Sequence, residues 1–317
     1  MNANRNLAAA GMVTLIALTV SASATAAAEC LPLSDFNRAI QAKDIDAAKS
    51  IEKQILSDAT CGAAIGTRAM LQRSSLEVVI AQEALNQPGG AAARERLLLD
   101  AASADVFWYA ADLMGELRFS QRRFADAAGY FEQAIEIIKN ASKTPTDPGT
   151  PVKKQILNRA TQARLLAANE EDGSGAQYVN PTRDFRDGTL GGLFSETVRG
   201  FKVESTALPI NFETGTDKPT ALGLKAEADM LKAIQEQGPS QITIVGHTDE
   251  RGADAYNMRL SDARARAVAK FLGSNGVTAK ITTLGRGWHE PFAVDAASGL
   301  AKSDIWALNR RVEWRRQ

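Results

Sequence analysis

Residues Gln241 to Arg266 read QITIVGHTDERGADAYNMRLSDARAR, and this stretch decides the fold of the last third of the chain. Ile242, Ile244 and Val245 form a β-branched run that stops at the polar loop Gly246-His247-Thr248-Asp249-Glu250-Arg251-Gly252. Such a run, ended by glycine and acidic residues, predicts a buried strand leaving into a loop. A helix opening near Asn257 or Leu260 follows. At about 100° per residue, Leu260, Ala263, Ala267, Val268 and Phe271 share one apolar stripe, and Arg264 falls in its middle. A guanidinium on a core-facing stripe cannot shed its proton, so it needs an anionic partner. Two partners are open: Asp249 at the strand exit, or the carboxylate of a bound ligand.

The flanking segments complete a β-α-β-α-β-β order: Ala207–Phe212, Thr220–Gln237, Gln241–His247, Leu260–Leu272, Ile281–Leu284 and Arg310–Trp314. Two helices crossing between strands predict a partly parallel sheet with helices packed on it, an α/β sandwich.

Five blocks within this region occur in a recognisable order: Thr248-Asp249, Tyr256-Asn257, Leu260-Ser261, Arg264-Ala265 and Asn309-Arg310-Arg311-Val312-Glu313. Together they resemble the OmpA-like C-terminal domain, the peptidoglycan-binding module of outer-membrane proteins, peptidoglycan-associated lipoproteins and flagellar stator proteins. The resemblance runs from roughly Thr206 to Arg315, and five ordered blocks are far more specific than one short motif. It implies that Asp249 takes the side-chain ammonium of diaminopimelate in the stem peptide and that Arg264 takes that residue's carboxylate. A zwitterionic end suits one fixed anion and one planar, bidentate cation. The resemblance also sets Arg310 near the ligand pocket. Asn257 either offers its amide to the stem-peptide backbone or caps the helix, and Thr248 either adds a hydroxyl or is structural.

Before this module the chain divides further. A short start with Arg5 leads into the apolar run Leu7–Val20 and the small residues Ser21 to Ala28. That run is shorter than the ~20 residues that span a bilayer, and Ala26-Ala27-Ala28 offers a cleavage site before Glu29. Residues 1–28 therefore read as a signal peptide, with no integral membrane segment after cleavage. Glu29 stands where a lipoprotein signal needs a small residue, so Cys30 reads as unlipidated. Cys30 and Cys61 are the two cysteines, and in an exported chain they are expected to pair. Closing that loop contributes roughly 3–4 kcal/mol in the chain-entropy model.

Residues 29–169 are read as a helical domain, because alanine-rich, β-branch-poor segments favour helix. Gly115, Phe124, Ala127, Phe131 and Ala134 fall at the spacing of a tetratricopeptide unit, in which small residues let two helices approach and aromatics fill the gap. The likeness is partial: the early aromatic position holds Arg118, with Phe119 adjacent, and no second copy lies about 34 residues upstream. Solenoids of this kind present grooves to protein segments, which suggests an envelope protein as partner. Residues 170–200, with Glu170-Glu171-Asp172-Gly173-Ser174-Gly175, Asp187-Gly188 and Gly191-Gly192, are expected to be a flexible linker to the module at 201–317.

Composition narrows the function classes. Lys+Arg and Asp+Glu both number 37, and with export this argues against nucleic acid despite the basic tail Arg310-Arg311 and Arg315-Arg316. His247 and His289 lack metal-ligand spacing, so no metal site is expected, and His247 reads as a hydrogen-bonded structural residue. No nucleophile elbow or dinucleotide fingerprint occurs, so neither catalysis nor a cofactor is expected. The expectation is a non-catalytic periplasmic protein at the cell wall and the inner face of the outer membrane. It binds peptidoglycan through one domain and protein partners through the other. The alternative is a periplasmic adaptor whose OmpA-like domain no longer binds the wall.

Overall fold

A computed structural model describes residues 30–169, 176–294 and 299–316. The expected leader and its cleavage site, and the first residues of the expected linker, lie outside the described residues.

Seven helices come first: α1 Pro32–Gln41, α2 Ile45–Ser57, α3 Gly62–Ala84, α4 Gly90–Ser103, α5 Trp108–Ser120, α6 Phe124–Lys139 and α7 Thr150–Ala167. Asp44 caps α2 by accepting from Ala47 N at 2.9 Å. Cys30 and Cys61 are joined in a disulfide, with Phe36, Ile40 and Ile55 buried around them. The expected close approach of α5 and α6 is present. A Cβ on Gly115 would sit 2.7 Å from the Phe131 ring, so only glycine fits there. Phe119 and Phe124 meet edge-to-face across the turn at 5.0 Å.

The C-terminal elements are β1 Thr197–Val198, β2 Phe201–Lys202, β3 Ser205–Leu208, α8 Ala221–Gln237, β4 Gln241–Gly246, α9 Asp254–Ser274, β5 Lys280–Gly285, α10 Lys302–Asn309 and β6 Val312–Arg316. The four-stranded sheet runs β3-β6-β4-β5, with β4 and β5 parallel and β6 antiparallel to both its neighbours. This is the partly parallel sheet expected from the crossing helices. Its core joins Ile242, Ile244 and Trp314 from the sheet to Met230 and Ile234 of α8 and to Val268 and Leu272 of α9. Helix α9 lies against the strand ends. A Cβ on Gly246 would stand 2.1 Å from Ser261 O, and one on Gly285 2.6 Å from Asp262 N.

Several elements differ from expectation, among them β1, which lies inside the expected linker and pairs with β2. Residues 210–212 are not strand beyond a single bridge between Phe212 and Pro219, and α10 was not foreseen.

The chain divides into two compact units at a place the sequence did not suggest. One gathers the chain up to Met114 with Ile137–Asp147; the other joins Gly115–Glu136 to everything from Pro148 onward. The segment expected to be a flexible linker is, from Ala176 on, part of the second unit. Its Leu190, Leu193, Phe194 and Val198 are buried. Thr182 donates through N and Oγ1 to Glu132 Oε2 at 3.3 and 3.1 Å, and Gly192 N donates to Glu136 Oε1 at 2.7 Å. Glu132 is itself buried against Arg164 of α7, which also donates to Val179 O at 2.5 Å. Glycine and polar residues in this segment thus serve turns and buried hydrogen bonds.

Candidate functional site

Strand β4 ends at Gly246, and His247, Thr248 and Asp249 follow it directly into the loop before α9. All three are buried. The backbone fixes this exit: His247 N donates to Arg311 O at 3.0 Å and Thr248 N to Gly287 O at 2.8 Å. Ser261 Oγ accepts from Gly287 N at 2.9 Å, which ties α9 to the same loop.

Asp249 is heavily paired. Its carboxylate accepts from Arg251 N at 3.1 Å, from Arg251 Nε and Nη2 at 3.1 and 2.7 Å, and from Arg310 Nη1 at 3.1 Å. Burial pushes its pKa up, but the hydrogen bonds from Arg251 and Arg310 outweigh that and hold it below the usual 3.8. Arg251 lies across the Trp306 ring of α10, 4.5 Å from its centre. Sequence reasoning had no role for Arg251 or Trp306. The short spacing Asp249-x-Arg251 could have signalled the first, whereas the second depends on the unforeseen helix.

Arg264 is buried on α9, but not on the stripe first drawn. The buried positions are Asn257, Ser261, Arg264, Ala265, Val268 and Leu272, while Leu260, Ala263 and Ala267 are only half-buried. Of the two partners left open for Arg264, Asp249 does not pair with it: Arg251 and Arg310 occupy that carboxylate. Arg264 Nε donates to Thr216 O at 3.0 Å, and its guanidinium lies 4.9 Å from the centre of the Phe212 ring. Its two terminal nitrogens donate to nothing among the described residues. Burial lowers its pKa below the ordinary arginine value, Tyr256 opposes that shift, and Arg310 adds to it. It remains a charged arginine with donors to spare.

Arg264 borders a cavity of about 330 Å³, lined among others by Phe212, Thr220, His247, Arg310 and Asn169, whereas Asp249, Asn257 and Thr248 are not part of its lining. A concave site with convergent guanidinium groups suits a small anionic or zwitterionic end-group.

The remaining expected residues take more structural places. Asn257 lies in the first turn of α9, past its N-cap Ala253, and so does not cap the helix. Its Nδ2 donates to Arg251 O at 2.9 Å and holds the loop that carries Asp249. Thr248 Oγ1 is buried without a hydrogen-bond partner among the described residues. His247 is hydrogen-bonded through its main chain and not through its ring. Its Nε2 lies 3.4 Å from Glu313 Oε1, but neither ring nitrogen is aligned for a hydrogen bond. Burial pushes its pKa below the usual 6.5, against the pull of Glu313.

Among the described residues no group of three His, Cys, Asp or Glu side chains could hold a metal ion, and no helix is long and apolar enough to cross a membrane.

A family model described as the OmpA family matches residues 215–302. A peptidoglycan-associated lipoprotein of Pseudomonas aeruginosa is 30% identical over 148 residues, which are 46% of this chain and 82% of that protein. An outer membrane protein A of Shimwellia blattae is 35% identical over 120 residues, 36% of this chain. This chain spans about half of that relative, 48% of its length. Among solved structures, the OmpA-like domain of FopA1 from Francisella tularensis subsp. tularensis SCHU S4 aligns at 30% identity with a TM-score of 0.28. That alignment covers 35% of this chain and 69% of the other.

Proposed function

The chain belongs to the OmpA family, and from that premise we propose a non-catalytic periplasmic protein that binds the diaminopimelate residue of a peptidoglycan stem peptide. The observation that carries this reading is Arg264: a buried guanidinium whose terminal nitrogens are unused and border a cavity. Desolvation makes such a cation costly unless something anionic reaches it. A ligand carboxylate can take the planar fork bidentately. The ligand's ammonium goes to Asp249, sharing or replacing Arg251, whose arm is 54% exposed and can rotate outward. Arg310 stays on Asp249 and keeps the carboxylate oriented. The helical region would serve protein partners of the envelope, and the molecule would sit at the wall and the inner face of the outer membrane.

Calorimetric titration with a diaminopimelate-containing stem peptide tests the site. Arg264→Ala should weaken binding by about 2–5 kcal/mol, as when one member of a buried charged pair is truncated. Arg264→Lys should recover only part, since a point charge lacks the fork. Asp249→Ala should also weaken binding, and the double variant should be little worse than either single one. Wild-type affinity in both single variants, with folding intact, would sink the site.

One observation favours a second reading. Asp249 is already satisfied by two arginines, as in an adaptor whose module no longer takes the wall. Absence of stem-peptide binding by the wild-type chain would select it.

A further inference from the structure

The cavity that presents Arg264 has a wall from outside the family-matched module. Ala168 and Asn169, at the end of α7, line it, whereas the match covers 215–302. Their position is built. Asn211 Nδ2 donates to Ala168 O at 2.7 Å and Gln177 N to Ala167 O at 2.8 Å. Asn211 is itself gripped: its carbonyl accepts from Thr220 N at 2.8 Å, and α8 lies so near that a Cβ on Gly223 would stand 2.2 Å from that oxygen. Behind this end, α7 is anchored by the buried Arg164–Glu132 pair and by Arg159, which grips Glu116 with two hydrogen bonds of 2.7 and 2.6 Å.

The chemistry of this wall differs from that of Arg264. Asn169 spends its Nδ2 on Leu165 O at 2.8 Å, while its Oδ1 accepts from no donor among the described residues. The C-terminal end of an 18-residue helix also carries a partial negative charge, which favours N–H donors and cations. Guanidinium donors and an amide acceptor on a helix C-terminus therefore line one cavity. We propose that the residues just past the C-terminus of α7 are part of the ligand site, with Asn169 Oδ1 accepting from an N–H of the stem peptide whose carboxylate Arg264 holds. This rests on the reading of the cavity as a stem-peptide site. It assigns the helical region a direct part in ligand choice: an end-group must present an N–H donor within reach of its carboxylate.

The test uses the full mature chain and a diaminopimelate-containing stem peptide, with Arg264→Ala as the control for the site itself. Asn169→Ala should weaken binding about 3- to 10-fold, the worth of one neutral hydrogen bond. Asn169→Lys should weaken it at least as much, because it sets a cation where the ligand brings a donor. In the wild type, adding the peptide should slow hydrogen exchange in the segment that ends at Asn169, which a purely structural role would not produce. Suppose Arg264→Ala abolishes binding while both Asn169 variants bind like wild type, or exchange near Asn169 ignores the peptide. The cavity reading then stands and the α7 inference is overturned. Suppose instead that Arg264→Ala binds normally; the cavity reading fails and takes this inference with it.

Discussion

Arg264 shows how far a single residue can be read. Its type and helical phase demanded an anion, and the structure leaves its fork open toward a cavity. What the sequence could not show was which arginine takes Asp249, because three candidates, Arg251, Arg264 and Arg310, converge only after folding. The pairing with Arg251 leads to a prediction. Arg251→Ala removes a competitor for the ligand ammonium while leaving Arg310 on the carboxylate. Stem-peptide affinity should therefore rise, most clearly at low salt, where exposed ion pairs are strongest. Titration that shows weaker binding in this variant would mean that Arg251 is itself a ligand contact. A second prediction concerns Glu227 on α8. It is buried, one carboxyl oxygen has no hydrogen-bond partner, and burial raises its pKa from 4.5 to about 7. Nearby Asp229 is raised to about 6, chiefly by burial and against the pull of Arg164. A carboxyl raised in the folded state holds its proton longer there than in the unfolded chain. Its effect on stability is absent below pH ~4.5 and grows as an increasing penalty through pH ~7. Glu227→Gln should thus leave stability near pH 4 almost unchanged and add about 1–3 kcal/mol at pH 8. Urea unfolding at both pH values checks it, and an equal effect at each would contradict the assignment.

Most elements were legible because their periodicity is long or their punctuation sharp. Strand β4 and helices α8 and α9 emerged close to where they were read. Helix α10 did not. Eight residues give barely two turns, too few for a stripe to repeat, and its start is fixed by Asp304 accepting from Ala301 N at 3.0 Å. The supposed linker misled for another reason. Its glycines and acidic residues looked solvated, yet the hydrophobic Leu190 and Phe194 that anchor it are spaced too irregularly to show a period. Helix α10 also carries a contact of very long sequence range. Arg122, in the turn between α5 and α6, holds Asp304 with two bonds of 2.9 and 3.0 Å. Arg122 is half-exposed, so its loss should cost about 0.5–1 kcal/mol. Asp304→Ala should cost about 1–3 kcal/mol, since it also orphans the cap at Ala301 and leaves a partner unpaired. Denaturant midpoints decide it, and an Arg122→Ala loss exceeding that of Asp304→Ala would contradict this ordering.

At the scale of the whole molecule, the compact units do not follow the helical-then-sandwich order of the sequence. The second half of α5, the first part of α6 and all of α7 belong with the sheet. Under the proposed function, the ligand-holding module would extend to these helices, and the disulfide Cys30–Cys61 staples the helices that remain outside it. The central claim is that this chain holds the wall through Arg264. Co-sedimentation of the full mature protein with purified sacculi at physiological salt tests it most directly. The account predicts that the wild type pellets with sacculi and that Arg264→Ala, equally folded, stays in the supernatant. A wild type that remains soluble, or an Arg264→Ala variant that pellets as the wild type does, would contradict it.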